Sequence, residues 1–266
     1  MQTIGPASST APVRAPTVTS TLLGAMSLLA RTLPRAWSVW LVTIVAATGT
    51  NLVDIIYGAQ PGQHGIGPLQ IASVIVRVFV GVLWTNIASS RAMIGGRSRI
   101  WAVNGDLWRA VGALILIEVI TAPLFVAAAW LARTRLAPLI PDAHMAAIFS
   151  LVAHDVIQFG FGMLTFKLTL WPIALAIGDR DVGFRVAWRR MRGAVWPLIG
   201  ANILLIGPLF AAHVSLTDWA QSLASDRPLQ LDVTLADGVL TGVQLILTFS
   251  LFNALYKRLA EDTVGK

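Results

Sequence analysis

Long apolar stretches are the feature that most constrains the fold of this 266-residue chain. A helix must present about 20 mainly apolar residues to cross a hydrocarbon layer about 30 Å thick. Six stretches meet this requirement, at about residues 36–57, 68–92, 107–132, 145–176, 194–217 and 233–256. Only helices and closed barrels satisfy their backbone hydrogen bonds inside lipid, and segments of this length favour helices. The sequence therefore predicts an all-α, polytopic helical membrane bundle.

The composition agrees with a membrane location. Hydrophobic residues make up 56% of the chain and charged residues only 12%, whereas soluble domains carry about 25% charged residues. An ordinary soluble enzyme, a disordered chain and a nucleic-acid-binding module are therefore excluded. The formal net charge of +7 does not indicate nucleic acid as a partner, because the basic residues lie in short loops beside the apolar stretches.

The distribution of Lys and Arg predicts the orientation of the bundle. Fifteen of these residues fall in the N-terminal segment, the second and fourth connecting loops and the C-terminus, and three fall in the other connections. Cytoplasmic loops carry the excess of Lys and Arg in multi-pass proteins. We therefore expect a protein of the bacterial cytoplasmic (inner) membrane with both termini in the cytoplasm.

The two ends of the chain are expected to lie outside the membrane domain. Residues 1–20 are rich in Ser, Thr, Ala and Pro and predict a disordered cytoplasmic tail, with no secretory signal. Residues 21–259 form a single six-span membrane domain in this prediction, and 260–266 form a second cytoplasmic tail. Within the domain, 21–35 has apolar residues along one side and predicts an amphipathic helix that lies in the cytoplasmic interface, separate from the first span.

A second interfacial helix is predicted at about 181–192, where basic and apolar residues alternate in a helical pattern. Phe184, Trp188 and Met191 recur at helical spacing, and Arg185, Arg189 and Arg192 recur on an adjoining face. Such a helix places arginines at lipid phosphates, which makes anionic phospholipids of the bilayer its expected partners. The set predicted to contact lipid headgroups is Arg185, Trp188, Arg189, Arg190, Arg192 and Lys167. Two interpretations fit this pattern. The helix either determines topology and anchors the chain to lipid, or it is a dedicated site for a lipid headgroup or a partner protein.

The same region resembles a known family. Lys167, Trp171-Pro172, Asp179-Arg180-Asp181 and Ala187-Trp188 through Gly193 are similar to the membrane domain attached to some bacterial glycerophosphodiester phosphodiesterases and to related stand-alone inner-membrane proteins. Ala187 and Arg190 depart from the Ser and Leu of the family pattern. The resemblance covers mainly residues 167–200. It implies a six-span layout and a role in lipid or envelope upkeep, without the phosphodiesterase catalytic domain, which this chain does not contain.

Several ionisable residues fall inside the predicted spans, where they are costly and often functional. Arg77, Glu118, His154 and Asp155 lie at nearly one depth, and Gln158 follows on the face of Asp155. One interpretation is structural: Arg77 bridges Glu118 and Asp155 and joins three spans. The other is a proton or ion relay in which the surplus carboxylate titrates.

Gly238 and Gly242 form a GxxxG pattern in the sixth stretch. This spacing permits two helices to approach closely, either within the bundle or with a partner subunit.

No catalytic triad, metal-binding pattern or nucleotide-binding glycine loop accompanies these features, and the chain has no cysteine. We therefore expect no enzyme activity, no metal and no cofactor. The sequence favours a non-catalytic accessory or scaffolding subunit of a membrane complex or of lipid and envelope upkeep, with other membrane-protein subunits as possible partners. The alternative is a small transporter or channel component that uses Arg77, Glu118 and Asp155.

Overall fold

The computed structural model describes residues 15–57, 83–95, 100–136, 139–142, 145, 165–223 and 225–264. Over these ranges the regular secondary structure is helical throughout, without a strand. Four helices of the described ranges are long and apolar enough to cross a membrane, namely Val18–Val53, Gly105–Ala128, Val195–Ala220 and Arg227–Ala260. The all-α prediction is thus confirmed for the described ranges, together with four helices of spanning length.

The seven α-helices of the described ranges are labelled in chain order. They are α1 (Val18–Tyr57), α2 (Thr85–Met93), α3 (Gly105–Leu131), α4 (Leu170–Ile177), α5 (Phe184–Arg190), α6 (Val195–Ser222) and α7 (Arg227–Val264). A π-helical turn, Ala132–Leu136, follows α3, and a 3₁₀ turn, Met191–Gly193, follows α5.

Two of the six predicted spans lie largely outside the described ranges. Residues 68–82 of the second span and 146–164 of the fourth are not described. What is described of them is α2 and the shorter apolar helix Thr165–Ile177. Six spans therefore remain a prediction.

The helical break expected near residue 35 is absent. We predicted a separate interfacial helix at 21–35 and a span from residue 36, but α1 is one helix of 40 residues with Pro34 inside it. Proline usually kinks or ends a helix because it lacks an N–H group. Here α1 packs along α7 on both sides of Pro34, as burial of Ala25 and Ala47 illustrates. Tertiary packing of this kind carries a helix through an unfavourable residue.

The other predicted boundaries differ in smaller ways. The second interfacial helix begins at Phe184 and not at residue 181, because Gly178 to Gly183 form a non-helical connection. The helices α6 and α7 both extend beyond the predicted spans 194–217 and 233–256. A span predicted from hydropathy ends at polar residues, whereas the backbone hydrogen bonds of the helix continue past them.

The centre of the bundle is formed by α1, α6 and α7. The most extensive helix pair is α1 with α7, and α6 packs against both. The buried face of α1 combines three large side chains, Leu28, Val39 and Trp40, with a majority of small and hydroxyl-bearing residues: Thr21, Ala25, Thr32, Ala36, Thr43, Ala46, Ala47 and Thr50. Large apolar side chains such as Leu41, Val45 and Leu204 are exposed. This is the arrangement expected when the surrounding medium is as apolar as leucine and close backbone approach drives association.

A second group of helices packs beside this centre. The helix α3 lies against α4, and α2 contacts α1, α4 and α7. Ile87, Leu107, Ala110 and Ala176 form the buried cluster that α2, α3 and α4 share. The segment α4–α5 is thereby held against the bundle.

Candidate functional site

A glycine-dependent turn positions the basic helix α5 beside α4. Gly178 ends α4 with φ of 84°, a left-handed conformation that favours glycine. The N–H of Asp179 then donates to the carbonyl of Ala174 at 2.9 Å, which satisfies the end of α4. The chain reverses within this short connection and begins α5 at Phe184.

Aromatic side chains stack across the turn and hold Lys167. The rings of Trp171 and Phe184 meet edge to face at 5.8 Å, and those of Phe184 and Trp188 stack at 6.4 Å. The Nζ atom of Lys167 lies 4.5 Å from the centre of the Trp188 ring, within range of a cation–π interaction. Two residues predicted to contact lipid, Lys167 and Trp188, are thus brought together although 21 positions separate them in sequence.

A depression of about 530 Å³ opens on α5. It is lined by Phe184, Arg185, Trp188 and Arg189, and nearly all of its lining surface is apolar. Arg192 is also exposed, whereas Arg190 is partly buried. The predicted apolar face needs correction: Met191 and Ala187 are fully buried in the core, while Phe184 stays exposed.

Two hydrogen bonds fasten this end of the bundle. The hydroxyl of Tyr256 on α7 donates to Oδ2 of Asp179 at 2.5 Å. A guanidinium nitrogen of Arg258 donates to Oγ of Ser20 at 2.5 Å, near the start of α1. The beginning of α1, the α4–α5 turn and the last part of α7 therefore lie at the same end, and this is the end rich in Lys and Arg.

Arg91, one of the fifteen basic residues that predict the orientation, has a structural role in the bundle. Its side chain is buried, with 3% exposure. Nε donates to the carbonyl of Ala176 at 2.9 Å, one terminal nitrogen donates to the carbonyl of Ala102 at 2.6 Å, and the other donates to Oδ1 of Asn104 at 2.7 Å. The same Asn104 oxygen accepts the N–H of Leu107 at 3.0 Å, at the start of α3. Arg91 thus joins α2 to the start of α3 and the end of α4.

A signal for this role was present in the sequence. Ala88, Ser89 and Ser90 precede Arg91, and a run of small residues suits a tightly packed helix better than an exposed loop. All three are fully buried.

A partly buried polar cluster joins α1, α6 and α7 at the opposite end of the bundle. Nδ1 of His213 lies 2.5 Å from Oδ1 of Asp237. The amide nitrogen of Asn51 donates to Oδ2 of Asp237 at 3.0 Å, and the hydroxyl of Thr217 donates to the same oxygen at 3.4 Å. The hydroxyl of Thr241 lies 3.4 Å from His213 Nδ1. Both carboxylate oxygens of Asp237 therefore have partners, as a buried carboxylate requires.

Sequence reasoning did not single out Asp237. It lies inside the predicted span 233–256, and the argument that drew attention to Glu118 and Asp155 applies equally to it. The sequence does not show the helix pairing that brings Asn51, His213 and Asp237 together.

The glycine pair in α7 packs against α1. A Cβ atom at Gly238 would lie 2.4 Å from Cα of Thr48, and one at Gly242 would lie 2.7 Å from Cα of Ile44. The GxxxG pattern is therefore used within the chain.

The predicted intramembrane charge cluster lies mostly outside the described ranges. Arg77, His154, Asp155 and Gln158 are not described, and for Glu118 only its place on α3 is. Within the part of the chain that is described, no group of three or more His, Cys, Asp or Glu side chains could hold a metal ion.

Comparison with known proteins identifies no relative of this chain. No family model, no curated protein and no solved structure matches the chain.

Proposed function

We propose that this chain is a non-catalytic, six-span protein of the bacterial inner membrane that serves as an accessory or scaffolding subunit and holds anionic phospholipid at α5. The observation that carries the proposal is the depression lined by Phe184, Arg185, Trp188 and Arg189 at the basic end of the bundle. The resemblance of residues 167–200 to membrane domains attached to glycerophosphodiester phosphodiesterases supports a role in lipid or envelope upkeep.

The aromatic and basic side chains around the depression together suit a phospholipid. Guanidinium groups bind phosphate through paired, charge-assisted hydrogen bonds. Each basic residue near an anionic membrane surface contributes about 1 kcal/mol. The rings of Phe184 and Trp188 supply an apolar surface directly beside Arg185 and Arg189, as is typical of the membrane–water interface. Lys167, which lies against the ring of Trp188, adds a further positive charge.

The lipid-binding part of the proposal is tested by replacing Arg185, Arg189 and Arg192 together with Gln. We expect less anionic phospholipid to co-purify in mild detergent, as measured by mass spectrometry of extracted lipid. The matched control replaces Arg31, Arg35 and Arg109, which are also exposed, and it lowers the net charge by the same amount. An equal loss of lipid in both triple variants, or in neither, would contradict a specific role for α5.

The orientation is tested with a reporter fused to the C-terminus. A cytoplasmic C-terminus follows from the excess of Lys and Arg at that end. A reporter that is active only in the cytoplasm is the expected result, and one active only in the periplasm would overturn the topology.

The subunit role is tested by purification from the native membrane at its natural expression level. A protein that co-elutes in constant ratio through two chromatographic steps is the expected result. Elution of the chain alone, with lipid only, would contradict an accessory role.

A small transporter or channel component is the second candidate. The polar cluster around Asp237, located between apolar helices, favours it because buried ionisable groups often mark ion pathways. A pH-dependent flux in proteoliposomes that is lost on replacement of Asp237 would support this candidate over the first.

A further inference from the structure

We propose that a pocket between the start of α3 and the turn after α4 binds the phosphoethanolamine group, in which a short linker joins a phosphate to a primary ammonium. The pocket has a volume of about 240 Å³ and is lined by Asp106, Arg109, Leu175, Gly178 and Arg180. None of these residues lines the depression on α5. The inference is therefore independent of anionic lipid binding at α5.

The carboxylate of Asp106 lies in this pocket with one oxygen available. A Cβ atom at Gly178 would lie 3.4 Å from Oδ2 of Asp106, so the glycine allows the carboxylate to approach the end of α4. Asp106 is not needed to cap α3, because Oδ1 of Asn104 accepts the N–H of Leu107 there. Oδ1 of Asp106 has a long contact of 3.4 Å with Arg109. Oδ2 accepts no hydrogen bond from the described residues, and a cation can bind to it.

Arg180 belongs to a turn whose backbone is held in place. The two carboxylate oxygens of Asp179 accept the N–H of Asp181 at 3.0 Å and the hydroxyl of Tyr256. Arg180 itself is exposed and forms no ion pair within the described part of the chain. The pocket therefore combines one carboxylate with two arginines, Arg109 and Arg180.

This combination of charges fits a zwitterion. Guanidinium groups bind phosphate through charge-assisted hydrogen bonds, but a phosphate that entered alone would be repelled by Asp106. A primary ammonium carries N–H donors and no acceptor, so it can bind Oδ2 of Asp106 while the attached phosphate meets Arg109 and Arg180. A quaternary ammonium lacks N–H donors and is usually bound by aromatic rings. The described residues that line the pocket include none, which favours phosphoethanolamine over phosphocholine.

The position of the pocket favours a phospholipid as the source of this group. Trp108, next but one to Asp106, is 64% exposed, and exposed tryptophans are typical of the membrane–water interface. The pocket lies at the start of α3, a helix long and apolar enough to cross a membrane. Further along α3, Ile115 and Leu116 are exposed and provide an apolar surface for acyl chains.

Native mass spectrometry of the full chain can compare lipids that differ only in the headgroup. Phosphatidylethanolamine and phosphatidylcholine with identical acyl chains would be titrated separately into the delipidated protein. We expect phosphatidylethanolamine to bind about tenfold more tightly, because only its ammonium donates a hydrogen bond to a carboxylate. This comparison needs no variant. Equal binding of the two lipids would overturn the proposal.

Two variants identify the residues responsible. Asp106→Asn should weaken binding of phosphatidylethanolamine to the level of phosphatidylcholine. Asp181→Asn, the same change at an exposed acid nearby, should leave both lipids unaffected. Arg180→Gln should weaken both lipids alike, because they share the phosphate, whereas Arg31→Gln at another exposed position should not. Equal losses in Asp106→Asn and Asp181→Asn would contradict a site at Asp106.

Free phosphoethanolamine distinguishes a lipid from a soluble ligand with the same group. Displacement of the lipid only at a large excess of the free compound would identify the phospholipid as the ligand. Displacement at equal concentration would identify a soluble ligand bound by the same chemistry. Phosphatidylethanolamine has no net charge, so this experiment and the count of anionic lipid at α5 can fail independently.

Discussion

Gly238 on α7 lies directly against Thr48 on α1, so close that a Cβ atom at position 238 would fall 2.4 Å from the Thr48 Cα. Real Cβ atoms do not approach a backbone atom at this distance, and neither helix can move locally without disturbing the other. Gly238→Ala should therefore destabilise the protein by about 1–3 kcal/mol, the usual cost of overpacking. Thermal or denaturant-induced unfolding in detergent would measure it.

Gly112→Ala on α3 is the control for this change. Nothing lies within 4 Å of a Cβ atom at that position, and alanine is the better helix former. We expect no loss of stability there. Equal stability of both alanine variants would show that α1 and α7 do not meet at Gly238.

The pairing of α1 with α7 illustrates how much of the fold the sequence revealed. Apolar length and the GxxxG pattern were sufficient to predict membrane helices and a close contact at Gly238 and Gly242. They did not reveal that α1 is the helix that packs against these glycines, because α1 and α7 lie at opposite ends of the chain. Nor did they show that α1 continues through Pro34. That continuity depends on packing against α7, which no local pattern records.

Arg91 should be among the most sensitive positions for stability. Arg91→Lys keeps the positive charge, and hence the topology signal, but it cannot reproduce donation in three directions to Ala176, Ala102 and Asn104. Hydrogen bonds from a charged group contribute about 1.5–3 kcal/mol each and are not additive. We expect a loss of about 3 kcal/mol in unfolding free energy. Unfolding in detergent, with circular dichroism as the readout, would measure it.

Arg109→Lys is the matched control for Arg91. The Arg109 side chain is 54% exposed, and it contacts Asp106 at 3.4 Å at the surface. Exposed ion pairs contribute little, so this change should have almost no effect. A similar effect of both lysine variants would indicate that Arg91 acts through charge alone.

The contact between the side chains of His213 and Asp237 should show coupling in a double-mutant cycle. His213→Gln and Asp237→Asn each remove one partner, so each should lower stability by about 1–3 kcal/mol through the unsatisfied polar groups that remain. The double variant should lose less than the sum of the two. Unfolding measured for all four proteins gives the coupling free energy. Strictly additive losses would mean that the two side chains do not interact.

The Asp237 cluster and Arg91 were not predicted for a common physical reason. The partners of each come from different helices, and Asn51 and Asp237 are 186 positions apart. Hydropathy and charge counts treat Arg91 and Asp237 as isolated residues at a given depth. Only the helix arrangement shows that Arg91 is buried by packing and that the Asp237 carboxylate has hydrogen-bond donors on α1 and α6. Lys167 and Trp188, by contrast, were grouped from the sequence because both belong to the basic, aromatic pattern of this region, and the structure brings the two side chains together.

Arg77, Glu118 and Asp155 provide a test of the predicted spans that lie outside the described ranges. An unpaired arginine at the bilayer centre costs at least about 2.5 kcal/mol, so we expect carboxylates on neighbouring spans to pair with Arg77. Arg77→Leu alone should then destabilise strongly, because two carboxylates remain without their counter-ion. Adding Glu118→Gln and Asp155→Asn should recover much of the loss, as thermal stability in detergent would show. If the three residues instead form a relay, the triple variant folds well but loses a pH-dependent flux in proteoliposomes. Losses that simply add, without any rescue, would mean that the three side chains do not meet and that the second and fourth spans are placed wrongly.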